Sequence, residues 1–326
     1  MTKRTARATA RANIALAKYW GKSDVALNLP AVPSISLTLD GLVTTTTVTF
    51  DETLAADVLE LDGRPASAKE TARATELLDR VRGSMKAPSF ARVVSANRFP
   101  TAAGLASSAS GFAAMAGAAV HAAGLSWSDA KLSALARWSS ASAGRSIFGG
   151  FAKLPAGVPG DAKLAAKPLF GQDHWDVRIV VAEAAKGPKK VGSTEGMERS
   201  RLTSPLYDAW VEKAPAITAV IEKALKKKDL DTLGAAMEQS TFAFHACAMS
   251  ASPSILYWQP TTIAALRTVE ALREKGTSAW ATMDAGPHVK VLCHAADAAK
   301  VKRALAKTEG VLATMVCKPG AGLMVK

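Results

Sequence analysis

From Thr5 to Leu16 small or apolar residues run together or alternate with polar ones, and the pattern stops at Tyr19-Trp20-Gly21-Lys22. Such patterning predicts a β-strand that delivers the chain into a functional loop. A second β-rich stretch fills 34–51. Ser34-Ile35-Ser36-Leu37-Thr38-Leu39 and Val43 to Phe50 are rich in β-branched residues, and Asp40-Gly41 between them predicts a hairpin turn. Helical spacing follows over 67–83, then a strand over 88–95, a Pro/Gly/Ser loop and an alanine-rich helix ending near 123. A helix over 127–144 and strands over 146–153 and 176–183 bracket a loop-rich segment, 155–175. Beyond 186 the order changes: helical stretches at 195–225, 229–247 and 259–275, strands at 278–283 and 288–293, a helix at 295–309 and a strand at 311–317. That order predicts an α+β chain in two lobes, 1–185 and 186–326.

Composition adds limits. The chain has 326 residues, 48% hydrophobic and 21% charged, enough to bury a sizeable core. Its formal charge of +13 favours anionic partners. Charge alone does not choose between nucleic acid, an acidic membrane and phosphorylated metabolites. The basic residues are scattered, and Lys226-Lys227-Lys228 reads as a solvated helix end. A basic nucleic-acid-binding protein is the remote alternative; no recognised motif for it is present, so no nucleic-acid partner is expected. Phe99 to Ser128 lacks charged residues and is long enough to span a bilayer, but it is built from Ala, Gly and Ser and contains Pro100 and His121. We expect a buried, closely packed helix and no membrane partner. Cys247, Cys293 and Cys317 are widely spaced without a CxxC pair, which argues against a disulfide framework or zinc site and fits a reducing cytoplasm. Arg4, Arg7 and Arg11 in an acid-free start resemble a transit peptide, yet the first chemical motif begins at Asn13, so the segment is read as the first strand.

Four segments carry candidate chemistry. Pro100-Thr101-Ala102-Ala103-Gly104-Leu105-Ala106-Ser107-Ser108 runs small residues into a helix start, where unpaired N–H groups favour phosphate. No Gly-Lys-Ser/Thr follows, so it is not a Walker loop, and tight packing of a small-residue helix explains it equally well. Asn13 to Lys22 places Lys18 and Lys22 four apart around Tyr19, a set able to grip a diphosphate or simply to flank a buried Trp20. Ser139 to Ser146 alternates hydroxyls ahead of Arg145, whose planar fork suits a carboxylate. Thr282-Met283-Asp284-Ala285-Gly286-Pro287 takes an acidic residue from a strand into a turn, as a turn former or as a poised carboxylate.

Taken together and in this order, the segments resemble the diphosphomevalonate decarboxylases of the GHMP superfamily of small-molecule kinases. The resemblance runs from Asn13 to about Leu292 and includes Lys18-Tyr19-Trp20-Gly21-Lys22, Arg145-Ser146 with Gly149-Gly150-Phe151, Ser193-Thr194-Glu195-Gly196-Met197, Phe244-His245-Ala246 and Asp284-Ala285-Gly286-Pro287. It implies a two-lobed GHMP kinase fold, with a ribosomal-protein-like N-terminal lobe and a ferredoxin-like α+β C-terminal lobe carrying the catalytic Asp. It implies ATP and Mg²⁺ as cofactors, a small phosphorylated substrate and a homodimer. Asp284 would act on the substrate's 3-hydroxyl, with Lys18 beside the phosphoryl group in transfer, and Arg145 and Asn13 on the carboxylate. Tyr19, Lys22, Ser140, Ser142 and Thr203 would hold the 5-diphosphate. Ala103, Gly104, Leu105, Ala106, Ser107 and Ser108, with Lys189 and Ser193 closing over them, would hold the ATP phosphates. The sequence names no metal ligand. Ser139, Ala141, Gly144 and Trp138 depart from the family pattern around the Ser140/Ser142 pair, which leaves open whether the substrate carries a diphosphate or a monophosphate at C5.

Overall fold

The computed structural model describes residues 4–99, 107–187 and 189–326. Two antiparallel-rich sheets organise it. The first has eight strands: β1 (Arg4–Ala17), β4 (Ser34–Phe50), β5 (Val58–Leu61), β6 (Arg64–Pro65), β7 (Ala91–Asn97), β8 (Phe151–Leu154), β9 (Lys167–Phe170) and β14 (Met324–Val325). Their main path is β14-β1-β4-β7-β5-β6, with β8 pairing β4 and β9 pairing β8. The short β2 (Lys22–Asp24) and β3 (Leu29–Pro30) form a separate pair. The second sheet runs β11-β12-β10-β13, from β10 (Val177–Glu183), β11 (Ala279–Thr282), β12 (Val289–His294) and β13 (Ala313–Cys317). β10 thus joins the second sheet although it precedes residue 185, and the extreme C-terminal strand returns to the first.

The expected hairpin at Asp40-Gly41 is not formed: β4 is one strand of 17 residues. Pairing with β1 slips from Arg11↔Val43 to Asn13↔Thr38, so the extra residues of β4 bulge instead of turning back. The bulge has its own partners. The Asp40 N–H donates to the Lys318 carbonyl at 3.0 Å, the Gly320 N–H donates to the Thr38 carbonyl at 2.8 Å, and Arg11 Nε reaches the Asp40 carboxylate at 3.3 Å.

Three helices cover the first sheet: α1 (Ala68–Arg82), α2 (Ser107–Ala122) and α3 (Asp129–Ser139). α1 starts in a capping box, with Ser67 Oγ accepting from the Glu70 N–H and Glu70 Oε2 accepting from the Ser67 N–H. Its inner face, Ala74, Leu77, Leu78 and Val81, joins Val48, Phe50 and the alanines of α2 in one core. α2 lies close on β1 and β4 because its buried face is nearly all Ala, Gly and Ser. Thr44 and Thr46, on the same buried face of β4, hydrogen-bond to Ser110 and Ser95 at 2.6 and 2.8 Å, so the close approach strands no polar group. No helix among the described residues is long and apolar enough to cross a membrane.

The helix expected over 127–144 ends at Ser140, whose extended backbone (φ −158°, ψ 119°) starts a 3₁₀ turn over Ala141–Ile147. The chain folds back on α3 there. Ser133 Oγ donates to the Gly144 carbonyl at 2.8 Å, and a Cβ on Gly144 would stand only 3.1 Å from the Ser133 carbonyl oxygen. The expected helix over 195–225 is likewise two helices, α4 (Ser193–Thr203) and α5 (Tyr207–Lys227). Pro205 forces Ser204 out of helical geometry, to ψ 123°.

α5 and α6 (Leu230–Met249) fill the space between the sheets, while α7 (Pro260–Glu274) and α8 (Ala298–Ala306) cover the far face of the second sheet. Ile14, Leu16, Ile35 and Leu37 from the first sheet share a core with Ile221, Leu233 and Met237 of the helices and Ile179 and Leu292 of the second sheet. The lobes therefore meet through packed apolar surface, not through a linker.

Gly234 of α6 faces the Trp280 ring of β11 so closely that a Cβ would overlap it. The ring cannot swing away freely, since its Nε1 hydrogen-bonds to Asp231 and Arg273 stacks on it at 4.5 Å. An alanine in a helix normally gains about 1 kcal/mol over glycine, but forced overpacking costs about 1–3 kcal/mol. Gly234→Ala is therefore expected to lower the urea midpoint of unfolding; an unchanged or raised midpoint would contradict this packing.

Candidate active site

β1 ends against the second lobe. The Lys18 N–H donates to Ser240 Oγ of α6 at 2.9 Å, and Thr282 Oγ1 of β11 donates to the Ala15 carbonyl at 3.1 Å while pairing with Thr241. These bonds fix β11 beside the end of β1. The turn after β11 then carries Asp284 onto Lys18, with Lys18 Nζ 2.8 Å from Asp284 Oδ1. Lys290, two residues into β12, comes from below, with Nζ 3.1 Å from Asp284 Oδ2. Lys18 and Lys290 are buried, at 3% and 1% side-chain exposure, whereas Asp284 keeps 26%, so the carboxylate is the member open to the cleft.

Arg145 enters from the 3₁₀ turn on the other side of β1. Its Nε lies 3.3 Å from Asn13 Oδ1 and 2.9 Å from Ser36 Oγ, and Nη1 donates to Ser34 Oγ. Asn13 Nδ2 returns bonds to the Ser142 carbonyl at 3.0 Å and Ser146 Oγ at 2.7 Å. These partners are neutral oxygens. They fix the guanidinium without cancelling its charge, which is left for a bound anion. Beside it, Ser140 and Ser142 lie with their hydroxyls 3.2 Å apart. The Tyr19 hydroxyl is buried with no hydrogen-bond partner among the described residues.

Electrostatically the cleft is a cationic pocket with one fixed anion. Burial lowers Lys18 to about 8 against the opposing pull of Asp284, and it lowers Lys189 to about 8 in the same way. Burial lowers Arg145 to about 10, with Asp284 opposing. Lys22 is lowered by burial and then by the like charge of Arg73. Burial pushes Asp284 upward, but Lys18 and Lys290 overcome it and hold the carboxyl well below the usual carboxylate range. Burial holds the Tyr19 phenol well above its ordinary value, so it stays protonated and available as a donor.

Lys189 stands over the same turn. Its Nζ donates to Ser193 Oγ at 2.6 Å and to the Ala285 carbonyl at 2.8 Å. Ser107 and Ser108, at the start of α2, border a cavity of about 360 Å³ between α1, α2 and the β5/β7 edge, with Asp62, Arg73, Asn97 and Phe112 also on its wall. Ala103, Gly104, Leu105 and Ala106 lie outside the described residues. Thr203 is occupied elsewhere: its hydroxyl donates to the Arg199 carbonyl at 2.7 Å and accepts the Ser252 N–H at 2.8 Å. A depression of about 400 Å³ lined by Arg11, Asp40, Trp175 and Lys318 lies at the β4 bulge and contains none of these site residues.

Lys290, Ser34 and Ser36 were not singled out from the sequence. Their signal is faint: Lys290 lies among Val289, Val291 and Leu292 of β12, where a buried lysine is costly without a partner, and Ser34 and Ser36 alternate with Ile35 and Leu37 at the start of β4. His245 is buried and packs on Phe244 and Trp258, with ring centroids 4.0 and 5.3 Å away, and burial lowers it to about 3, so it is neutral. Among the described residues no group of three or more His, Cys, Asp or Glu side chains is placed to hold a metal ion.

Comparison with known proteins gives one consistent family. Residues 10–165 match the diphosphomevalonate decarboxylase-like N-terminal domain, and 177–316 match the mevalonate 5-diphosphate decarboxylase C-terminal domain. The diphosphomevalonate decarboxylase of Gibberella zeae is 37% identical over 312 residues, 90% of this chain and 82% of its own length. That of Candida albicans is 35% identical over 321 residues, 94% and 89% of the two chains. Mevalonate diphosphate decarboxylase from Staphylococcus aureus superposes with a TM-score of 0.94 at 34% identity, over 100% of this chain and 98% of its own. A solved complex described as MDDEF with MVAPP, AMPPCP and magnesium superposes with a TM-score of 0.92 at 38% identity, over 100% and 99%. With its cationic cleft around a single aspartate and these matches across nearly its whole length, the chain belongs to the diphosphomevalonate decarboxylase family.

Proposed function

We propose that this protein catalyses the ATP-dependent decarboxylation of mevalonate 5-diphosphate to isopentenyl diphosphate, ADP, phosphate and carbon dioxide. The observation that carries this reading is the convergence of Lys18, Asp284, Lys290 and Arg145 where the lobes meet. A kinase needs cations around a phosphoryl group and an orienting group on the acceptor hydroxyl. This decarboxylation also needs an anchor for the carboxylate that leaves as carbon dioxide.

In this reading the Ser107/Ser108 cavity holds the nucleotide, and Lys189 and Ser193 approach its phosphates from the second lobe. Arg145, oriented by Asn13, Ser34 and Ser36, holds the substrate carboxylate. Tyr19, Lys22, Ser140 and Ser142 hold the 5-diphosphate; Thr203 enters this set by the family resemblance alone. Asp284 orients the 3-hydroxyl. The hydroxyl proton passes to Asp284 as the 3-oxygen attacks the γ-phosphorus and the bond to ADP breaks, while Lys18 offsets the charge on the transferring group. The C3–O bond then breaks with phosphate as leaving group. The electron pair of the breaking bond to the carboxyl carbon becomes the new double bond, and carbon dioxide departs. Hydroxide is a poor leaving group and phosphate a far better one, which is the chemical purpose of consuming ATP. Mg²⁺ is read as arriving with the triphosphate, held mainly by its oxygens, and it would neutralise charge there.

Carbon dioxide release from purified protein with ATP tests the assignment, the 5-diphosphate being the active substrate. Turnover of the 5-monophosphate alone would reject the substrate assignment. Asp284→Ala is expected to lose at least about a hundredfold in kcat while still binding nucleotide; a smaller loss would remove Asp284 from the reacting hydroxyl. Arg145→Lys is expected to raise KM for the acid substrate and lower kcat together, because Lys cannot form the two-pronged carboxylate contact. With Lys18 and Lys189 both titrating at about 8, kcat/KM is expected to fall as pH rises past that value and either ammonium loses its proton. A pH–rate profile that stays flat to well above that pKa would contradict this.

A further inference from the structure

Lys290 sits where a lysine is expensive. It is the second residue of β12, paired with Val181 of β10 on one side and Thr282 of β11 on the other, so both neighbours in the sheet are filled. Its side chain is 1% exposed, on a strand whose other residues include Val289, Val291 and Leu292. A charge in such surroundings persists only where a counter-charge and hydrogen bonds repay its desolvation. The Asp284 carboxylate supplies the counter-charge, at 3.1 Å.

We propose that Lys290 is a positioning residue of the active site: its ammonium lies at ion-pair distance from the second oxygen of Asp284, so that the carboxylate is held between two cations and remains an anion while Lys18 attends to the phosphoryl group. One ammonium on Oδ1 alone would leave the carboxylate free to rotate. Both ammonium groups are buried, Lys18 at 3% and Lys290 at 1% side-chain exposure, and they reach different oxygens of the carboxylate, Oδ1 at 2.8 Å and Oδ2 at 3.1 Å.

The groups facing Asp284 from each packed element agree with this division. The residue after β1 is Lys18, β12 supplies Lys290, the loop after β10 supplies Lys189, and the 3₁₀ turn supplies Arg145. α6 supplies His245 and the turn itself supplies His288, which burial lowers to about 3 and about 4, so both are neutral. His288 Nδ1 accepts the Ala184 N–H at 3.1 Å, as a neutral ring can. Burial favours a protonated Asp284, and the two lysines are the leading opposition. Removing Lys290 therefore moves Asp284 toward the neutral acid.

The kinetic part of this inference rests on the decarboxylase reading; the spectroscopic part does not. In Lys290→Met, whose side chain is one heavy atom shorter and carries no charge, kcat is expected to fall by about a hundredfold with KM for both substrates within about threefold, and the acidic limb of kcat to move to higher pH. In the apo protein, infrared difference spectra are expected to show a protonated-carboxyl band that wild type lacks at the same mildly acidic pH, and Lys290→Met/Asp284→Asn should abolish it. Lys290→Gln, which removes the charge but keeps a polar end, should show the same changes, and it carries the same readouts if the Met variant does not fold. Wild-type kcat with an unmoved acidic limb would overturn the proposal. So would a loss of kcat with neither the pH shift nor the carboxyl band, which would mark a merely structural lysine. Should wild type fail to release carbon dioxide from mevalonate 5-diphosphate, the decarboxylase reading falls, and the infrared band alone decides the role of Lys290.

Discussion

The ion cluster of Lys18, Asp284 and Lys290 joins a strand of the first lobe to a turn and a strand of the second, and the site depends on that junction. Three hydrogen bonds set it up: Lys18 N–H to Ser240, Thr282 to the Ala15 carbonyl, and Thr241 to Thr282. They are buried and lie within the apolar surface that both sheets share. Breaking a buried pair by removing one partner leaves a charge stranded in low dielectric, far costlier than losing an exposed ion pair. The cluster therefore resists relative sliding of the lobes, and it explains how one carboxylate stays ionised among packed side chains.

Around that centre, charge and geometry are divided. Arg145 is held by neutral oxygens of Asn13, Ser34 and Ser36, so its orientation is fixed while its charge is left for a ligand. Asp284 is the fixed anion among Lys18, Lys290, Lys189 and Arg145. Such a cleft gathers four cations around one carboxylate, an excess of positive charge that favours a polyanionic ligand. The same surplus explains why a net charge of +13 gives no clue by itself: the functional cations are a few buried residues, while the remainder are dispersed.

Much of this was legible in the chain because local rules act there. The α1 helix, the Ala/Gly/Ser face of α2 and the alternating positions of β1 each follow from short-range preferences that the tertiary structure does not override. The errors came where distant segments decide. Asp40-Gly41 resembles a hairpin turn until Lys318 and Gly320 arrive to satisfy the β4 backbone, and the helix after Ser128 looks continuous until the chain folds back through Ser133 and Gly144. Asp284, Lys18 and Arg145 stand out because they sit in loops beside small or aromatic residues. Lys290 is hard to read because a single lysine in a β-strand looks like an exposed position, and only its burial within the paired sheet shows otherwise.

The central claim is that Asp284 meets the reacting hydroxyl while Arg145 holds the carboxylate of the same molecule. A crystal structure with mevalonate 5-diphosphate and a non-hydrolysable ATP analogue tests it most directly. The account predicts an Asp284 oxygen within hydrogen-bonding distance of the 3-hydroxyl, the γ-phosphate on the opposite side of that hydroxyl near Lys18, and the substrate carboxylate on Arg145. A substrate bound with its hydroxyl turned away from Asp284, or with its carboxylate on another cation, would contradict it.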